Sequence, residues 1–267
     1  MTALPLLTLI AILATLAVNT LSNFFSPGGQ NVGEISNTVL GGVLITPASY
    51  AFAIWGLIYL GLIAYGIFQL RPRLHADRSI RQASQLLIVA CLAQVGWIFL
   101  FTLQLFWASV GLMLLILLPL MGAYLALNRA GGMRPSRQRR WLVQIPFSVY
   151  FAWISVATVI NIAAALYISQ WGGFGIGDRL WTVVMMGIAA GIAAAVLLQY
   201  RDRAFGLVIV WALGAIAVRH SDIALLWITA AGLALGLVAL VLLLPWLVPA
   251  RSRLPKSASA PPAVDPK

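Results

Sequence analysis

Residues 46–70 read TPASYAFAIWGLIYLGLIAYGIFQL, with no charge before Arg71. A helix needs roughly 20 apolar residues to span a bilayer, so this stretch reads as a membrane-spanning helix and the rest of the chain is read around it. Pro47 falls at its start, where a helix loses no hydrogen bond to proline. Trp55 and Tyr59 are four residues apart and share one face. Trp and Tyr gather at membrane interfaces, but these two fall well inside the span and are expected to face other helices.

Composition extends the reading to the whole chain. Of 267 residues, 62% are hydrophobic and 9% charged, whereas a soluble domain carries about 25% charged residues. The fold class is all-α, a polytopic membrane helical bundle, and the bilayer is its first partner. The net charge of +11 fits cytoplasmic loops rather than nucleic acid. A single cysteine, Cys91, excludes an internal disulfide and reads as a small packing residue.

Eight apolar segments follow one another: 4–18, 46–70, 84–106, 110–128, 141–168, 180–200, 204–218 and 223–247. The first has no Lys or Arg before it, unlike a secretory signal, and is expected to be a retained helix. Segment 21–45 is too long for a mere connector. Its apolar residues Phe24, Phe25, Val39, Leu40 and Val43 favour a loop packed onto the protein. Residues 251–267, rich in Pro, Ala and Ser, read as a disordered cytoplasmic tail. The pairs Gly187/Gly191 and Gly232/Gly236 match GxxxG and are expected to pack within the bundle, with a homodimer as the lesser reading.

Charge supports the count of eight. The loops after the second, fourth and sixth helices and the tail carry 4, 5, 2 and 4 Lys or Arg. The loops after the first, third, fifth and seventh carry 0, 0, 1 and 1. Cytoplasmic loops collect Lys and Arg, which puts both termini in the cytoplasm.

No Asp, Glu, Lys, Arg or His falls in the middle of a helix so drawn, and proton relays and ion-coupled pumps are built from such groups. No His, Cys and carboxylate cluster has metal-ligand spacing, and no nucleophile has an evident base. What remains at depth is aromatic rings and amides. Gln94 and Trp97 lie one turn apart, and Trp153, Ala157 and Asn161 form a stripe with a spacing of four. The stripe reads either as a pocket wall, with ring, gap and amide, or as a seam between helices, with Ala157 admitting a neighbour and Asn161 bonding across it. Spacing alone favours the seam.

These residues carry a resemblance to the tryptophan-rich sensory protein / translocator protein (TspO/MBR) family. A long first loop ends in Pro47, Tyr50 and Phe52 and runs into a W-x-x-x-Y helix at Trp55 and Tyr59. QVGW at Gln94 to Trp97 resembles the family's N-x-x-W, with Gln for Asn, and WISVATVIN at Trp153, Ala157, Thr158 and Asn161 resembles W-x-x-x-A-T-x-x-N. The resemblance covers about residues 4–168. It implies a TspO-like five-helix unit over 1–170; the three additional transmembrane helices over 171–250, drawn from hydropathy, have no counterpart in the basic family. The inner membrane of a bacterium is the expected location. It also implies a pocket capped by the first loop that binds a flat hydrophobic molecule, a tetrapyrrole such as protoporphyrin, as receptor, sensor or carrier. Pro47, Tyr50, Trp55, Tyr59, Gln94, Trp97, Trp153, Ala157 and Asn161 are the ligand-binding candidates. No catalytic residue, metal site or resident cofactor is expected, and binding suits these residues better than catalysis. The alternative is a membrane transporter of a small hydrophobic or amphipathic substrate.

Overall fold

The computed structural model describes residues 3–129 and 136–247, and among them helices are the only regular secondary structure. The first, α1 (Leu4–Ser22), carries Thr8 and Thr15. Each threonine hydroxyl donates to the carbonyl four residues back at 2.8 Å, so neither buried hydroxyl is left unpaired.

The long loop that follows contains α2 (Val32–Asn37). Asn31 accepts from the Glu34 amide and the Glu34 carboxylate accepts from the Asn31 amide, a reciprocal cap that starts this short helix. Ile35, Leu40, Val43 and Ile45 are buried, so the loop does fold onto the bundle. Phe24 and Phe25 do not join them and are 75% and 78% exposed. Both their amides bond the Leu21 carbonyl as the chain wraps round the end of α1, and this turns the rings outward.

Residues 46–70 do not form one helix from the start. Ala48 is extended, and its amide donates to the Ala215 carbonyl at 3.1 Å. A 3-10 turn, Ser49–Ala53, then leads into α3 (Ile54–Phe68). Pro47 therefore precedes the helix instead of sitting in its first turn. The backbone there is held by a distant helix, which the local sequence does not encode.

Next come α4 (Arg78–Thr102) and α5 (Phe106–Arg129). α4 begins ahead of its apolar run because Asp77 caps it, accepting from the amides of Ser79 at 2.9 Å and Ile80 at 3.2 Å. α6 (Arg137–Arg139) passes through a π-turn at Arg140–Gln144 into α7 (Ile145–Ile168). Pro146 follows that turn, and its missing N–H is lost where the ladder already widens. Arg139 joins the segment before α4 to the segment before α7 through a 2.6 Å ion pair to Asp77 and a 2.6 Å bond to Ser79 Oγ. Part of the expected basic loop 129–140, residues 130–135, lies outside the described residues, as does the tail 251–267.

The last three helices are α8 (Asp178–Tyr200), α9 (Arg203–Arg219) and α10 (Ala224–Leu247). α9 packs on α7, on the Ser49–Ala53 turn, and on α8 and α10, so it ties the trio to the first five long helices. A Cβ on Gly61 would meet the Pro146 ring at 3.2 Å, so this glycine sets how closely α3 and α7 approach. The GxxxG pairs behave otherwise. Nothing lies within 4 Å of a Cβ built on Gly187, Gly191, Gly232 or Gly236, and all four face outward rather than packing within the bundle.

Among the described residues, seven helical segments are long and apolar enough to cross a membrane. Their outer faces are lined with exposed leucines such as Leu60, Leu92, Leu235 and Leu242, as an integral membrane protein requires. α9 is not among the seven. Its 17 residues span about 26 Å at 1.5 Å per residue, short of the roughly 30 Å hydrocarbon core.

Candidate functional site

A cavity opens between α2, the Ser49–Ala53 turn, α3, α4, α5 and α7. Its free space is about 50 Å³, room for a few waters at roughly 10–15 Å³ each. The wall is mostly aromatic and aliphatic: Phe52, Trp55, Trp97, Phe101, Trp153 and Ile154 are among its residues. Trp55 stacks on Tyr59 with ring centres 5.6 Å apart, and Phe52 sets its edge against Trp153 at 6.1 Å.

The two amides in the wall are engaged from behind. Gln94 Nε2 donates to the Tyr59 hydroxyl at 3.0 Å, and Gln94 Oε1 accepts from the Tyr150 hydroxyl. Trp97 Nε1 donates to Asn161 Oδ1 at 2.6 Å. Asn161 Nδ2 donates to Ser109 Oγ at 2.9 Å, and Ser109 donates in turn to the Phe106 carbonyl at 2.7 Å. One network thus joins α3, α4 and α7, and the other joins α4, α5 and α7. Buried polar side chains need such partners, and here the pairing fixes the orientation of the wall. An apolar or π surface can meet the wall with both of these networks left intact.

The sequence candidates divide. Trp55, Gln94, Trp97, Trp153, Ala157 and Asn161 all line the cavity. The two readings of the α7 stripe both hold in part: Ala157 faces the cavity, while Asn161 also bonds across the seam to α4 and α5. Tyr59 stands behind the wall as partner to Gln94 and Trp55. Tyr50 is 45% exposed and meets the edge of Trp211 at 5.3 Å. Pro47 is buried in the loop, where its carbonyl accepts from Arg219 at 3.2 Å.

Other contributors escaped the sequence reading. Val32 and Ser36 of α2 and Met113 and Ile116 of α5 complete the wall. Tyr150, one turn before Trp153, could have been added to the stripe by its i, i+3 spacing. Ser109 carried no signal, since it falls between the apolar segments 84–106 and 110–128. Among the described residues no group of three or more His, Cys, Asp or Glu could hold a metal ion.

At the end of the bundle where α4 and α7 begin, the electrostatics are local. Burial pushes the Asp77 carboxyl up, but hydrogen bonds from Ser79, Arg139 and the Ile80 amide outweigh it and hold the group below its ordinary range.

A search of curated proteins and of solved structures found no match to this chain. The family model described as TSPO-like protein does match, over residues 5–244. That range takes in the cavity wall and runs on through α8, α9 and most of α10, well past residue 168 where the sequence resemblance was drawn to a close. Matched over most of its length, the chain belongs to the TSPO-like protein family.

Proposed function

We propose that this protein binds a flat, hydrophobic small molecule of tetrapyrrole type in the cavity between α3, α4, α5 and α7, as receptor, sensor or carrier. The observation that carries the reading is the cavity wall: indole and phenyl rings around Ala157, backed by amides already paired. Ring faces of this kind suit an apolar macrocycle by stacking and dispersion. The present free space of about 50 Å³ is too small for one, so binding requires the first loop to lift and the rings to part. The lining residues all come from the part of the chain before residue 170, and α8–α10 supply none. Residues 1–170 are accordingly the binding unit in this proposal, with 171–250 accessory to it.

The same reading takes α9 as an eighth span, short and accommodated by local thinning of the bilayer. Fifteen of the 17 Lys and Arg then fall on the cytoplasmic side with both termini. The test is a tryptophan-fluorescence titration of the purified protein with protoporphyrin, against a panel of non-planar hydrophobic molecules of similar size. Saturable quenching by the porphyrin alone is expected. Equal quenching by every member of the panel refutes the proposal.

A further inference from the structure

The loop over the cavity is held by a helix that contributes nothing to the cavity wall. Trp211, Ala215 and Arg219 recur every four residues and form one stripe along α9. The stripe meets the chain between α2 and α3 at three levels. Trp211 Nε1 donates to the Ala51 carbonyl at 3.1 Å, with Tyr50 against its ring. The Ala215 carbonyl accepts from the Ala48 amide at 3.1 Å. Arg219 donates to Asn37 Oδ1 at 3.0 Å and to the carbonyls of Pro47 and Ser36, both at 3.2 Å.

The two ends of this held segment are cavity wall: Ser36 on one side and Phe52 on the other. Between them, Asn37 Nδ2 donates to Ser49 Oγ at 3.0 Å, drawing the two ends together under the Arg219 guanidinium. Arg219 has no carboxylate within ion-pair distance among the described residues. Its planar fork is spent on oxygens of α2 and of the segment before α3, an arrangement that one Arg can make and a single-point donor cannot.

We infer that α9 is the clasp of the cavity's lid, with Arg219 as the positioning residue that holds α2 and the Pro47 segment closed over it, so that ligand exchange is controlled from the C-terminal trio. The inference rests on the cavity being the ligand site, but the clasp itself can be tested without ligand. Opening the lid exposes Ala157, which lies inside. Ligand must pass the same gate in both directions, so weakening the clasp speeds association and dissociation together and shifts affinity less than either rate.

The experiment uses the full-length protein in detergent with Cys91→Ala and Ala157→Cys, labelled with a charged, membrane-impermeant methanethiosulfonate. Arg219→Gln is expected to raise the labelling rate on the order of tenfold, equivalent to about 1.4 kcal/mol of closing free energy. Arg219→Lys falls between it and the parent. Trp211→Phe keeps the ring beside Tyr50, loses only the bond to Ala51, and gives a smaller rise. Hydrogen exchange on proteins that keep Ala157 supplies a second measurement: amides of 32–53 exchange faster in Arg219→Gln while those of α4 and α7 do not change. A folded Arg219→Gln protein that labels and exchanges at the parent rates overturns the clasp. If the parent binds no protoporphyrin while Arg219→Gln still opens the loop, the clasp stands and the tetrapyrrole reading falls.

Discussion

Ala157→Leu tests whether the gap in the α7 stripe is space kept for a ligand. The side chain faces a cavity with about 50 Å³ free, between Trp153 and Asn161. Leucine adds three carbons there. If they enter free space, each buried carbon group contributes up to about 0.8 kcal/mol, so stability holds or rises by at most about 2 kcal/mol. If the site is a tight seam, the added bulk overpacks it and costs about 1–3 kcal/mol. The two outcomes differ in sign, so a thermal melt of the detergent-solubilised protein decides between them. Binding gives the second readout. Protoporphyrin affinity, measured by tryptophan quenching, is expected to fall at least tenfold, about 1.4 kcal/mol or more. Trp153→Ala, which removes a central aromatic anchor, is expected to weaken binding by about 2 kcal/mol. The reasoning is refuted if Ala157→Leu lowers stability by about 1 kcal/mol or more and leaves the affinity of every tested molecule unchanged.

Three further expectations follow from the contacts. Asn161→Leu strands the buried Trp97 N–H and removes the donor to Ser109, which keeps its own bond to the Phe106 carbonyl; it should cost about 1–3 kcal/mol, and adding Trp97→Phe should recover part of that loss in the melting temperature. Asp77 is held below its ordinary carboxylate range, so its contribution is present at neutral pH, above the unfolded value, and disappears as pH falls through the lower folded value. The gap in melting temperature between the parent and Asp77→Asn should therefore be largest near neutrality and close only in strong acid; a gap that is the same at every pH contradicts the pairing with Arg139. Reporter fusions at Lys267 and beside Gly175 should report opposite compartments, and an external C-terminus rules out the eight-span topology.

The sequence by itself determined the membrane class, the helices and much of the cavity wall. Hydropathy acts locally, because each span must be apolar along its own length to sit in lipid. The i, i+4 rule likewise fixes which residues of one helix share a face, so Trp153, Ala157 and Asn161 could be grouped before any fold was known. Tertiary structure alone decided what each face meets. No spacing in α7 says that Asn161 answers Trp97 and Ser109, since those contacts join segments 64 and 52 residues away. The same limit explains Pro47. Its place looks like a helix start in the local sequence, yet the neighbouring Ala48 amide is claimed by Ala215 of α9, which keeps the backbone extended until Ser49. In the sequence Arg219 is simply the one positive charge in the loop after the seventh apolar segment. Only the packing of α9 against α7 and the loop gives its guanidinium three oxygens to hold, because hydrogen bonds between distant segments depend on where the whole bundle places them.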